Sequence, residues 1–172
     1  MRTAATLPRP LAHDLIGLSM ATTTVRRRVP LQPDRAAELI ADFTTSVRWD
    51  PAITNADRLD EDDDLHVGAR FRVDYRAGIV TLPLVYELIV YEPGEHVVLE
   101  SRGRLHYGRD DVRFKLADDG GTLVEWRATF ALRGPGRLLD PALSVGFRRV
   151  AAKAGDSLEA FLTEAAAEQA GS

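Results

Sequence analysis

The stretch TLVEWRATFALRGPGRLLDPALSVGFRRVAAKAGDSLEAFLTEAA, residues Thr122–Ala166, changes its apolar period midway, and that change decides the fold class. In its first part Val124, Trp126, Ala128, Phe130 and Leu132 alternate with Glu125, Arg127, Thr129, Ala131 and Arg133. A period of two marks a half-buried strand; Leu123 is the one apolar exception on the outer parity. Further on, Leu143, Phe147, Val150, Ala154, Leu158, Phe161 and Ala165 recur at helical spacing, an apolar stripe along a helix of more than twenty residues. Asp140 is placed to cap that helix, with Pro141 at its first position. Gly134-Pro135-Gly136 lacks the Gly-Lys-Ser/Thr of a phosphate loop and reads as the turn between strand and helix.

Upstream, turn signals divide the chain into strands. Asp118-Asp119-Gly120-Gly121 is a hairpin signal. Before it, Leu105–Leu116 puts Val112, Phe114 and Leu116 on one face and Asp111, Arg113 and Lys115 on the other. Val97–Arg102, Ile79–Tyr91, Ala69–Arg76 and Ile53–Leu59 are further strands, separated by Pro93-Gly94, Ala77-Gly78 and the acidic run Asp60–Asp64. That run lacks the spaced ligands and central glycine of a calcium loop, so it reads as a solvated turn. Ile79–Tyr91 is apolar on both faces, and Pro83 within it implies a bulge or an edge position. A short helix begins at Pro33, carries Ala36, Ala37, Leu39, Ile40 and Phe43 at helical spacing, and stops near Thr44-Thr45. In Trp49-Asp50-Pro51 the proline forces Asp50 out of helical geometry. Thr22–Val29 reads as a strand near a sheet edge, where Arg26-Arg27-Arg28 resists edge-to-edge pairing.

The element order is therefore α+β: a strand, short helices, about six antiparallel strands and one long amphipathic helix laid across one face of the sheet. A strongly curved sheet holding such a helix need not fill the space between the layers, and apolar pockets form there.

Composition excludes several function classes. The chain has 172 residues, 22 basic and 26 acidic, with a formal net charge of −4. Such a balance argues against a nucleic-acid partner, which requires a basic surface. Lys115 and Lys153 are the only lysines; the arginines are spread along the chain, mostly on outward strand parities, as a coding bias would leave them. With no cysteine there is no disulfide, thiolate metal site or cysteine nucleophile. No apolar run is long enough to cross a bilayer. Residues 1–19 are broken by Pro8, Pro10, His13 and Asp14, so they read as a flexible extension rather than a secretory signal, and a cytoplasmic location is expected. Met20 offers an alternative start.

Trp49-Asp50-Pro51, Gly68-Ala69-Arg70-Phe71, the run from Tyr86 to Pro93, Asp110–Phe114 and Gly120–Val124, with the terminal helix, resemble the polyketide cyclase/dehydrase and START-like (SRPBCC) group. The resemblance covers roughly residues 25–165. It implies the helix-grip fold: a curved antiparallel sheet of about seven strands wrapped around the long C-terminal helix, with short helices after the first strand. One such domain is expected over residues 20–168, followed by a tail at 169–172. The resemblance also implies an apolar cavity for a lipid, sterol, polyketide or hormone, with cyclisation or dehydration in some members. It carries no shared catalytic triad.

Catalytic candidates therefore rest on single residues. The four histidines are scattered, no serine lies in a Gly-x-Ser-x-Gly elbow, and no nucleotide or metal signature is present, so neither cofactor nor metal is expected. Counting back by twos from Phe114 and Val112 puts Asp110 and His106 on the inward face of their strand, about 13–14 Å apart. An inward carboxylate in an apolar pocket has a raised pKa and suits general acid–base work. The plainer reading, which we favour at this level, has both residues solvated or Asp110 paired with an arginine. Trp49, Phe71, Tyr75, Tyr86, Trp126, Phe130 and Phe147 point between sheet and helix, as filler or as lining. Tyr75, Tyr86 and Trp126 are the expected lining, with Phe147 and Val150 on the helix side. Two functions follow: a carrier of a small hydrophobic molecule, or a cyclase/dehydratase-type enzyme acting by positioning with carboxylate help. An interaction module is a third reading, and the oligomeric state is open.

Overall fold

The computed structural model describes residues 19–60, 64–77, 79–132 and 140–171, without side chains at 19–20, 77, 132, 140–149 and 151. Its elements are β1 (Ser19–Val29), α1 (Pro33–Ala41), a 3-10 turn (Phe43–Thr45), α2 (Ser46–Trp49), β2 (Ile53–Arg58), β3 (Arg70–Ala77), β4 (Val80–Glu92), β5 (His96–Arg102), β6 (His106–Leu116), β7 (Thr122–Leu132) and α3 (Asp140–Ala170). The strands form one antiparallel sheet in the order β1-β7-β6-β5-β4-β3-β2. This is the helix-grip arrangement: a seven-stranded antiparallel sheet with short helices and a long C-terminal helix. β1 starts at Ser19, three residues before Thr22, where the sequence reading began the strand. Residues 1–18, the Gly134-Pro135-Gly136 turn and the centre of the acidic run lie outside the described residues.

Local chemistry accounts for most boundaries. Pro33 opens α1, where a missing N–H loses nothing, and Ala36, Ala37, Ile40 and Ala41 bury its inner face against β4–β6. Gly120 takes a φ of +86° in the β6–β7 turn, a conformation that side-chain-bearing residues avoid. Asp50 ends α2; its Oδ1 accepts the Ala52 N–H at 2.9 Å, folding the chain over Pro51 into β2. Pro83 sits opposite Asp74 of β3 in the part of β4 that runs past β5, since the β4–β5 ladder begins at Tyr86. It therefore occupies a locally free edge. A bulge does occur in β4, but at Leu88–Val90.

β4 departs from the sequence reading. Only Leu84, Tyr86 and Leu88 of its inner face are buried; Val85 is exposed on the outer face, and Val80, of the inner parity, is exposed at the strand's start. Its apolar outer face is thus an exposed surface, and β4 is a one-sided strand.

α3 packs on β1 and α2. From Ala154 onward the stripe Ala154, Leu158, Phe161 and Ala165 is buried as its spacing predicts, joined by Leu162. Gly155 marks the closest approach, because an ideal Cβ there would lie 2.4 Å from Val25 Cγ1. Charges flank the seam: Arg27 meets Asp156 and Glu159, and Arg48 meets Glu164 while its guanidinium covers the Phe161 ring. Arg26 pairs with Glu125 and Arg28 with Asp119, so each member of the arginine triplet holds an acid.

Candidate ligand-binding cavity

Sheet curvature creates the site. Tyr75 on β3 and Phe130 on β7 are separated by three strands in the sheet order, which at normal strand spacing is roughly 19 Å in a flat sheet. Their rings stack with centroids 6.1 Å apart and an interplanar angle of 19°. The sheet has therefore closed into a trough. Beneath this stack lies a cavity of about 30 Å³, walled by Phe43, Ile53, Tyr86, Trp126, Ala128 and Thr129, with Val150 and Ala154 on the helix side. Two carboxylates, Asp50 and Asp110, complete the wall.

Asp110 owes its place to strand parity. It shares the inner face of β6 with Gly108 and Val112 and is 9% exposed. The β6–β7 register pairs Val112 with Trp126, so the indole stands diagonally beside Asp110, and Trp126 Nε1–H donates to Asp110 Oδ1 at 2.8 Å. The expectation of a solvated or arginine-paired Asp110 is thereby corrected. Its strand neighbours Arg109 and Arg113 have the opposite parity and bind Glu100 and Asp111 on the outer face. Burial pushes the Asp110 carboxyl up to about 7; the Trp126 hydrogen bond opposes this and the charge of Asp50 adds to it. Asp50 is raised to about 6 by burial, against the Ala52 N–H.

Tyr86 is 7% exposed, and its hydroxyl makes no hydrogen bond among the described residues. Gly108 gives it room, because a Cβ there would come within 2.8 Å of the hydroxyl oxygen. Burial, and then Asp110 and Asp50, hold the Tyr86 phenol well above its usual range; Tyr75 is raised by the same causes. No lysine, arginine or histidine stands among the described residues of the wall.

The remaining candidates fall elsewhere. Trp49 is buried behind the wall, edge-on to Trp126 at 5.4 Å, with its N–H donated to Thr45 Oγ1. Phe71 is fully buried behind Phe43. Both fill volume at these positions, since parity selects a face and not a depth. His106 lies further along the inner face of β6, its Nε2 2.8 Å from Ser101 Oγ, away from the wall. Phe147 has no described side chain. Asp50 was not among the sequence candidates, although Trp49-Asp50-Pro51 placed it at a helix end. Phe43 belonged to the apolar helix pattern but carried no sign that it would face a cavity.

Two other features bear on function. A larger open depression of about 750 Å³ lies on the outer face over β1, β7 and β6, but its Arg26, Arg27, Arg28 and Arg113 are already engaged with acids. Among the described residues no group of three or more His, Cys, Asp or Glu could hold a metal ion, and no helix is long and apolar enough to cross a membrane.

Comparison with known proteins agrees with this geometry. The family model described as polyketide cyclase/dehydrase and lipid transport matches residues 20–163. No curated protein matches the chain. Among solved structures, a START superfamily protein from Mycobacterium smegmatis is 14% identical, with a TM-score of 0.65, over 86% of this chain and 99% of its own. The Zhui aromatase/cyclase from Streptomyces sp. R1128 is 12% identical with a TM-score of 0.67, over 83% of this chain and 93% of its own. The di-domain ARO/CYC StfQ of the steffimycin biosynthetic pathway is 15% identical with a TM-score of 0.67, over 89% of this chain and 52% of its own. Identities this low establish a shared fold.

Proposed function

Because the chain belongs to the polyketide cyclase/dehydrase and lipid transport family, we propose that it binds a small, largely apolar molecule, a lipid or a polyketide-like compound, between the sheet and α3. The observation that carries this reading is the aromatic trough: Phe43, Tyr86 and Trp126 below a Tyr75–Phe130 stack, closed by Val150 and Ala154. Rings of this kind give an apolar ligand large contact area, and the few polar groups orient it. The cavity has room for a head group, so a larger body enters by parting the stack. A cytoplasmic location is part of the same proposal.

Titrating an apolar fluorescent probe into the protein tests this. Trp126→Ala is expected to weaken binding by about tenfold, the loss of one buried aromatic contact surface. Unchanged affinity in a folded variant would remove Trp126 from the site.

A second reading is favoured by one observation. Asp50 and Asp110 sit at about 6 and 7, so near neutral pH each is available as acid or base. On that basis the protein is a cyclase/dehydratase-type enzyme that positions its substrate and moves a proton through Asp110. Asp110→Asn would then abolish turnover while retaining probe binding; retained turnover excludes the reading.

A further inference from the structure

The polar end of the cavity is chemically one-sided. Asp110 and Asp50 each commit Oδ1 to a protein donor, the Trp126 indole and the Ala52 N–H respectively. The second oxygen of each has no hydrogen-bond partner among the described residues, and the Tyr86 hydroxyl, nine-tenths buried on the same wall, has none either. All three line one space of about 30 Å³, so a single small group can reach them together. No cationic side chain of the described wall supplies a counter-charge.

With both carboxyls ionised, three kinds of head group compare as follows. A carboxylate or phosphate places a third negative charge among two carboxylates. A hydroxyl has one hydrogen to give and leaves the carboxylates without a counter-charge. A primary ammonium has three N–H donors, no acceptor and one positive charge. It is close to a water molecule in size, and a volume of about 30 Å³ admits a group of that size. The surrounding rings of Phe43, Tyr86 and Trp126 add favourable quadrupoles for a cation.

We propose that the Asp50–Asp110–Tyr86 end of the cavity takes the protonated primary amine of a ligand whose body is apolar. The inference rests on the cavity being the ligand site and names the head group it selects. Among the described residues, the titrating groups facing that head are Asp50, Asp110, Tyr75 and Tyr86. Both tyrosines are held above their usual range and stay neutral through the neutral pH region, so the carboxylates alone set the response. Ionised carboxylates bind the ammonium, so affinity rises with pH across their titration. Binding near pH 6.5 drives protons off them.

The test compares 2-naphthylmethylamine, 2-naphthylmethanol and 2-naphthoate, which share one body, by calorimetry on the full chain. At about pH 8 the amine is expected to bind about tenfold or more tighter than the alcohol, as a charge-assisted hydrogen bond gives, with naphthoate weakest. The amine should tighten between about pH 5.5 and pH 8 while the alcohol does not. Calorimetry in two buffers of different ionisation heat should show proton release near pH 6.5 for the amine only. Asp110→Asn and Asp50→Asn should each reduce the amine-to-alcohol preference, and Tyr86→Phe should reduce it less. Alcohol binding as tight as amine, or a preference unchanged in both asparagine variants, overturns the inference while the cavity reading stands. Failure of both amine and alcohol to bind overturns the cavity reading and the inference together.

Discussion

Asp110 and Trp126 show how one hydrogen bond sets the chemistry of a buried acid. The indole N–H stabilises the ionised carboxylate, so Trp126→Phe, which keeps the ring and removes the donor, should raise the Asp110 pKa above about 7. Infrared or NMR titration of the carboxyl checks this; a lowered value would mean that the N–H does not act on the charge. The same acid imposes a pH dependence on folding. Its folded pKa lies above the unfolded value of 3.8, so its contribution to stability is complete below that value and is lost as pH rises through about 7. A carboxyl whose pKa rises tenfold in proton affinity on folding carries about 1.4 kcal/mol of such stability. Unfolding free energy should therefore fall by roughly a few kcal/mol between about pH 4 and pH 7, with Asp50 adding to the same limb. Asp110→Asn should flatten that limb in urea titrations, and an identical slope in both proteins would refute the assignment. Parity from Val112 and Phe114 made the inward direction of Asp110 legible. Its partner was not, because the indole reaches it through a cross-strand register that one strand does not encode.

Helix α3 meets β1 through Gly155. An alanine there gains about 1 kcal/mol of helix propensity. Its methyl, however, would press on Val25, which is buried and stiff about χ1, and overpacking of this kind costs about 1–3 kcal/mol. The clash is expected to win: Gly155→Ala should lower stability by up to about 2 kcal/mol in chemical denaturation. Combined with Val25→Ala, the loss should be smaller than the sum of the two single losses, because the second change removes the obstacle. Additivity would show that the approach is not tight. Elements of this kind were the most readable part of the sequence. Alternation placed β3, β6 and β7, and the stripe from Ala154 to Ala165 placed the buried face of α3. Apolar content misled at β4, where Val85 faces outward and Val80 stays exposed at the strand's start: a run of β-branched residues records strand propensity as well as burial.

Across the whole molecule, the contact between Tyr75 and Phe130 joins parts of the sheet that no local pattern relates. Both residues were legible as inward-facing, yet their stacking depends on the summed twist of the strands between them. For the same reason the wall residues could not be told from the packed core: Trp49 and Phe71 share the inward direction of Trp126 and Tyr86 but lie one layer deeper. Phe130→Ala should remove an aromatic pair worth about 1 kcal/mol and open the trough. Stopped-flow association of a bulky apolar probe is then expected to become several-fold faster, and an unchanged rate would place the entrance elsewhere.

The overhang of β4 past β5 gives the two halves of that stack unequal footing. Phe130 stands on a strand flanked by β1 and β6 in the wide part of the sheet, whereas Tyr75, between Ile53 of β2 and Leu82 of β4, lies in a three-stranded end that β5 does not reach. Narrow ribbons twist and bend more readily than wide sheets. Admission of a ligand should therefore be a one-sided hinge motion in which Tyr75 swings and Phe130 stays as the anvil. Amide hydrogen exchange would record this asymmetry as faster opening along residues 81–84 than along residues 128–130.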